Sequence, residues 1–382
     1  MRKRKVLLSM FSILLSAVLM FSVFSSGIFK NEATADVKLY NVTGRLTEIK
    51  DDLLNIFNDK DGSESTKIEE NKALEQVYIG GYPIGLKLYA DGVVIVGTEA
   101  VDTVNGAVNT AEKAGLKLGD IIKKVNGNEV KSNSQVSSII EKSAGQELTF
   151  EVERKEKRFE VSFKAEFSQS EQRYKAGIWI RDSSAGIGTV TFCTKDGGFA
   201  SLGHAVCDID TKSTIPISQG ESTEAKLTGF IKGQNGSAGE LCGYLENKSN
   251  GVIYSNDSLG VYGCFNSLPE NQTLYEIAGI NEVQTGDAEM ITTIENGVTE
   301  SYSVTIEKVD GKSEDNKNLV IRITDRRLID KTGGIIQGMS GSPIIQNGKL
   351  IGAVTHVFLN DATGGFGIFA ETMLNKLNEA KK

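Results

Sequence analysis

Histidine is nearly absent from this chain: the 382 residues include only His204 and His356. Any mechanism that moves a proton through an imidazole must use one of these, and a three-histidine zinc site or a His-Glu-x-x-His helix is excluded. Proline is scarce, at 4 residues, which excludes a proline-rich linker protein. A basic excess is missing as well: 42 Lys and Arg stand against 50 Asp and Glu, a net charge of −8. A surface that tracks phosphates needs the opposite balance, so nucleic acid is not an expected partner. The four cysteines, Cys193, Cys207, Cys242 and Cys264, fit no Cys-x-x-Cys metal spacing, and disulfides and buried thiols are both open to them. No pattern calls for a cofactor or a metal. What the chain does have is glycine, 41 residues, with 39% hydrophobic and 24% charged residues. That composition suits a folded body rich in β-structure and tight turns, and the length suits two or three domains.

The N-terminus begins Met1-Arg2-Lys3-Arg4-Lys5, and no charge follows from Val6 to Phe29. At about 1.5 Å per residue, a helix over that run is long enough to cross about 30 Å of hydrocarbon. A basic head before an apolar run places the head in the cytoplasm and the remainder across the membrane. Ala33-Thr34-Ala35 offers a signal-peptidase site, but it lies beyond a run that is long for a cleavable segment, which favours an uncleaved anchor. Residues 1–30 are therefore read as a signal anchor or signal peptide. Residues 31–75, polar and containing Asp59-Lys60-Asp61-Gly62-Ser63-Glu64-Ser65, are read as a stalk with one strand over Val37–Val42.

Residues 76–166 follow a recognisable order: Pro83-Ile84-Gly85-Leu86-Lys87-Leu88, the buried strand Gly92-Val93-Val94-Ile95-Val96-Gly97, then Ala114-Gly115-Leu116 with Gly119-Asp120-Ile121-Ile122. Val125-Asn126-Gly127-Asn128 reads as a tight turn, Ser134–Lys142 as a helix, and Glu147–Arg154 with Arg158–Ala165 as a closing hairpin. Together these resemble a PDZ domain, an α+β module. The resemblance implies that N–H groups around Ile84, Gly85 and Leu86 receive a chain-terminal carboxylate. The peptide would pair with residues 86–88 and lie beside helix 134–142. From residue 170 to 382 the pattern changes to short alternating runs between Gly, Asn and Asp turns, with helical signal mainly near the end, at Glu371–Ala380. That predicts a β-barrel or sandwich domain and a mainly β protein overall.

The sharpest local sequence is Gly338-Met339-Ser340-Gly341-Ser342-Pro343, which leads into a hairpin turning at Asn347-Gly348. Glycines around a serine on a tight turn expose the hydroxyl and let the N–H groups of Gly338 and Ser340 converge on a developing oxyanion. Upstream, Gly203-His204-Ala205 puts one of the two histidines on a small-residue turn, and His204 is the candidate general base. His356, on the strand after the serine hairpin, is read as substrate-facing or structural. An acid that orients the imidazole would sit between them in sequence. Asp325 is the first candidate; Asp330, Asp208, Asp210 or no acid at all are the alternatives.

The serine turn resembles the nucleophile turn of chymotrypsin-like serine peptidases, with Met339 and Ser342 in place of the usual Asp and Gly. The apolar N-terminus, PDZ-like order, Gly203-His204-Ala205 and the run from Gly338 to Lys349 together resemble the stage IV sporulation protein B peptidases of endospore-forming bacteria. That family resemblance implies a chymotrypsin-like barrel and a serine endopeptidase exported from the forespore into the space between the two spore membranes. There it would cut a membrane-associated regulator of an intramembrane protease, and its own stalk, so that a late sigma factor matures. Of the other readings, a tethered PDZ adaptor with an inactive β-domain keeps the same modules. An HtrA-like housekeeping protease would have them in reverse order.

Overall fold

The computed structural model describes residues 75–382, apart from Asn235, 270–272, Asn296 and Glu314. The expected anchor, the expected strand at 37–42 and nearly all of the expected stalk lie outside the described residues. Among the described residues no helix is long and apolar enough to cross a membrane.

The protein is mainly β, and its strands close into two barrels. In the first, Pro83–Thr98, Ile178–Cys193, Gly198–Ser201, Gly260–Phe265, Glu240–Asp257 and Ile217–Ile231 pair in that order, and the last returns to the first. The second runs Gly286–Thr293, Thr299–Val309, Leu319–Ile323, Asp361–Phe369, Lys349–Phe358 and Pro343–Gln346, which returns to Gly286–Thr293. Every pairing is antiparallel, and closure leaves neither ring a free edge. Alternation in the sequence fills the interiors. Ile84, Leu86 and Leu88 point inward with Val190, Phe199 and Val261 in the first barrel. Met290, Val304, Ile321, Ile344 and Val354 do so in the second. The C-terminal helix Ala370–Ala380 lays Met373, Leu374 and Leu377 against Phe192 and Tyr262.

A third core holds the PDZ-like unit. Val93, Ile95, Ile122, Val125, Phe150 and Val152 meet Val136 and Ile140 of the helix Asn133–Lys142. Ser132 and Gln135 form a capping box at the start of that helix, which is why it begins there. The turn at Asn126-Gly127 joins Ile121–Val125 to Asn128–Glu129, as the sequence predicts. All four cysteines are free thiols; burial pushes the Cys193 thiol up to about 12.

The strand Pro83–Thr98 belongs to two bodies at once. Its second half builds the PDZ-like core, whereas its first half is a stave of the first barrel. This corrects the expected role of Ile84, Gly85 and Leu86. Gly85 faces Ile187 on one side and Thr223 on the other, so both edges of the strand are already paired. Ile84 and Leu86 are buried in the barrel core. No edge is left there for an incoming peptide, and the glycine serves packing instead. A Cβ at Gly85 would lie 2.4 Å from Thr223 Oγ1 and 2.6 Å from Leu245 Cδ2. Gly85→Val is therefore expected to cost on the order of 3 kcal/mol of stability by overpacking. Urea denaturation reads this directly; an unchanged midpoint would show that the barrel repacks around the new side chain.

Candidate active site

Ser340 comes from the turn that enters the second barrel at Pro343, and His204 from the turn that leaves the first barrel after Ser201. The structure brings these turns together. Gly341 is so close to the histidine turn that a Cβ on it would lie 2.1 Å from Thr189 O and 2.5 Å from Leu202 N. Its φ of +95° belongs to the left-handed region that favours glycine. Gly203 packs on Thr355 in the same way, with a Cβ position 2.7 Å from Thr355 Cγ2. Asn316 ties the region together: its Nδ2 donates to Gly203 O at 2.8 Å and to Ser258 O at 2.9 Å.

The serine turn is clamped by residues that the motif did not reveal. Thr189 N–H donates to Ser340 O at 3.1 Å, and Thr189 Oγ1 donates to Gly338 O at 2.7 Å. Thr191 Oγ1 donates to Gly341 O at 2.8 Å. Both threonines are buried. The only sequence signal for them is the alternation Thr189-Val190-Thr191, polar on the face turned to the serine. With its carbonyls occupied, the turn keeps two donors free: among the described residues, neither Gly338 N–H nor Ser340 N–H donates to another group of the protein. Free N–H groups beside a nucleophile are what an oxyanion needs.

The Ser340 hydroxyl donates to Thr355 O at 2.8 Å. A rotation about its Cα–Cβ bond would release it toward an attacking geometry. His204 Nδ1 lies 2.8 Å from Ala205 O. A carbonyl can only accept, so Nδ1 carries the proton and Nε2 keeps its lone pair. The imidazole is thus oriented by the backbone, not by Asp325. That carboxylate caps the helix Arg326–Thr332 and pairs with Arg327 at 2.7 Å, and no hydrogen bond joins it to His204 among the described residues. Asp208 and Asp210 are engaged by Arg181. Asp330 accepts from Lys232 through its backbone carbonyl, and no hydrogen bond joins its carboxylate to His204 among the described residues. Asp325→Asn should keep the cap, lose the ion pair and leave turnover within about tenfold, since a lost orienting acid costs nearer 10⁴. A fall in kcat of that larger size would mean that Asp325 reaches His204 during turnover.

The cleft between the barrels has a volume of about 630 Å³ and is lined by Leu86, Ile187 and His204 on one side and by Asp315, Asn316 and His356 on the other. The two imidazoles lie 5.0 Å apart, centre to centre. Burial pushes the His204 pKa below 6.5, against the opposing effect of its bond to Ala205. His356 keeps one face open to solvent but falls to about 4, first through loss of water, then through His204 and Lys317. Both rings are neutral at neutral pH, as a general base must be. The acid limb of kcat/KM is accordingly expected below 6.5; a limb above it would contradict the geometry. Stability follows the same sign. Unfolded imidazoles take up protons below about 6.5 and the folded ones do so only further down, so stability is complete above that pH and declines as pH falls toward about 4. Urea midpoints across that range should fall for the wild type and fall less for His356→Gln. Among the described residues no cluster of His, Cys, Asp and Glu could hold a metal ion.

The family model described as SpoIVB peptidase S55 matches residues 172–374, more than half of the chain. The chain belongs to the SpoIVB peptidase S55 family. It is a serine endopeptidase, and a PDZ domain model matches residues 84–164. A search of curated proteins found no match. Among solved structures, the Rv3671c protease from M. tuberculosis in its active form is 17% identical over 52% of this chain and 74% of that chain, with a TM-score of 0.33. The HtrA-type protease AlgW with decapeptide is 14% identical over 53% of this chain and 54% of that chain, with a TM-score of 0.32.

Proposed function

We propose that this S55 peptidase is a sporulation enzyme that cuts a membrane-associated regulator of an intramembrane protease, and its own stalk, in the space between the two forespore membranes. On this reading the segment 1–30 carries the chain across the inner membrane, and the PDZ unit brings the target to the cleft. Ser340 attacks the scissile carbonyl. His204 Nε2 takes the hydroxyl proton and returns it to the leaving amine, while the N–H groups of Gly338 and Ser340 hold the oxyanion. The reading is carried by the contact of the Ser340-Gly341 turn with the Leu202-Gly203-His204 turn, with two N–H donors left free beside the serine. The biological setting is supported by the family alone. The test is the N-terminal sequence of the mature protein from sporulating cells, with and without Ser340. A start within residues 31–75 that disappears with Ser340→Ala supports self-cleavage; the same start in both proteins sinks it.

A further inference from the structure

Loop 310–318 joins Thr299–Val309 to Leu319–Ile323 in the second barrel, and its exposure alternates: Asp315 and Lys317 face solvent, whereas Asn316 between them is buried. Asp315 Oδ1 accepts from Lys317 N–H at 3.1 Å and from Ser313 Oγ at 2.6 Å, a turn that keeps the polar neighbours at the surface. Asn316 is thereby directed into the gap between the barrels. Its Nδ2 donates to Gly203 O at 2.8 Å and to Ser258 O at 2.9 Å, carbonyls of two turns of the first barrel. Its own carbonyl accepts from Thr355 Oγ1 at 3.0 Å, and Thr355 O accepts the Ser340 hydroxyl. One run of hydrogen bonds thus leads from Ser340 through Thr355 and Asn316 to the peptide that enters His204. The far end of that run is strained. Leu202 has φ +63° and Gly203 φ +69°, successive left-handed residues. Leucine avoids that conformation, and it persists only where surrounding contacts impose it. Gly203 N–H bonds locally, to Ser201 O at 2.8 Å. Among the described residues, the bond from Asn316 is what ties this peptide to the second barrel.

We propose that Asn316 is a positioning residue of the peptidase: acting through Gly203 O, it holds the left-handed Leu202-Gly203 turn and so fixes His204 against Ser340. The imidazole then needs no carboxylate to orient it. With the peptide before His204 held, the ring stays where Nδ1–H reaches Ala205 O. The residue type follows from the two carbonyls. One nitrogen with two protons meets both; an ionised carboxylate offers no donor and a hydroxyl offers one. Asn318, two residues on, makes a contrast. It is also buried, but its Nδ2 donates to Asp310 O at 3.4 Å and to Ser313 O at 2.9 Å, both in its own loop. Asn318 orders the loop, and Asn316 carries that order across to the first barrel. The inference rests on the reading of His204 as base and Ser340 as nucleophile.

The test compares Asn316→Asp, Asn316→Ala and Asn318→Ala in the full chain. Asn316→Asp keeps the size of the side chain but sets a carboxylate against two carbonyl oxygens. At a pH of about 8.5 its kcat should fall about a hundredfold with KM within about threefold, because the base is displaced while the cleft walls stay. Asn318→Ala should melt lower and keep kcat within about threefold. Lowering the pH to about 6.5 returns a proton to the buried carboxyl, which then donates to one carbonyl, so the ratio of Asn316→Asp to wild-type kcat should rise about tenfold. Around position 316 stand Asp315 and Lys317 on its own loop, Asp257 beside Ser258, and His204 and His356 across the cleft. Carboxylates and amines at their ordinary values do not titrate in that range, and both imidazoles have already lost their protons. The ring is also read without turnover. With isotope-labelled histidine, nitrogen NMR should show His204 as the Nδ1–H tautomer in the wild type and as a mixture of tautomers in Asn316→Ala, the signals being assigned with His356→Gln. If Asn316→Ala does not fold, the pH dependence of Asn316→Asp decides. Wild-type kcat in folded Asn316→Asp, a ratio that is flat with pH, an equal fall in Asn318→Ala, or an unchanged His204 spectrum in folded Asn316→Ala would overturn the proposal. Fluorophosphonate labelling of the unsubstituted chain reports separately on Ser340. A chain whose His204 signals respond to Asn316 but whose serine does not label sinks the catalytic reading alone; one that labels, with signals indifferent to Asn316, sinks the positioning role alone.

Discussion

Replacing Ser340 by alanine is expected to abolish peptide cleavage and fluorophosphonate labelling while leaving the fold intact. Among the described residues the hydroxyl makes a single hydrogen bond, to Thr355 O, at a half-buried turn. On the proposed mechanism its loss removes the nucleophile, and it costs about 1 kcal/mol or less of stability. His204→Ala should fall by a similar factor, on the order of 10⁴ or more in kcat, and the double variant should be little worse than either single one, because nucleophile and base act as a unit. The measurement is kcat on a peptide substrate for the three variants, with circular dichroism to confirm folding. Cleavage at the wild-type rate by Ser340→Ala would remove the serine from the mechanism. Multiplying losses in the double variant would mean that the two side chains act independently.

The second large effect is expected at Gly341. Gly341→Ala adds a methyl group 2.1 Å from Thr189 O and 2.5 Å from Leu202 N, at a φ of +95°. Left-handed backbone alone costs roughly 1–2 kcal/mol for a residue with a Cβ, and a clash with backbone cannot relax by turning a rotamer. The turn must then move away from the first barrel, taking Ser340 from the side that carries His204. Expected results are a stability loss of roughly 3 kcal/mol and a fall of at least about a hundredfold in kcat. Thermal denaturation and turnover of the purified variant check both. A variant that melts normally and turns over normally would mean that the contact between the two turns is not what aligns the site.

The serine endopeptidase class was legible because the motif that carries it is a matter of local backbone shape. Gly338-Met339-Ser340-Gly341 needs glycines for its turn and its amides, and a chain with two histidines leaves few choices for a base. The PDZ-like hairpin, its Asn126-Gly127 turn and the Asn133–Lys142 helix were legible for the same reason: periodicity and turn residues act over short spans. Asp325 was misread from its place at a strand end. Two residues further on stands Arg327, which holds the carboxylate, and a helix begins there that needs a cap.

Which strand pairs with which is a different kind of information. Ile84-Gly85-Leu86 has the local form of a peptide-binding loop, yet it lies between Ile187 and Thr223, partners far along the chain that no window of sequence connects to it. The clamp of Thr189 and Thr191 on the serine turn likewise exists only once the barrels close. The sequence by itself determined the peptidase class, the glycine-shaped turn around Ser340 and the PDZ match ahead of the peptidase match. Tertiary structure alone decided which edges are used up and which stay open, because a strand's hydrogen-bonding groups are the same at every residue and only long-range pairing assigns them.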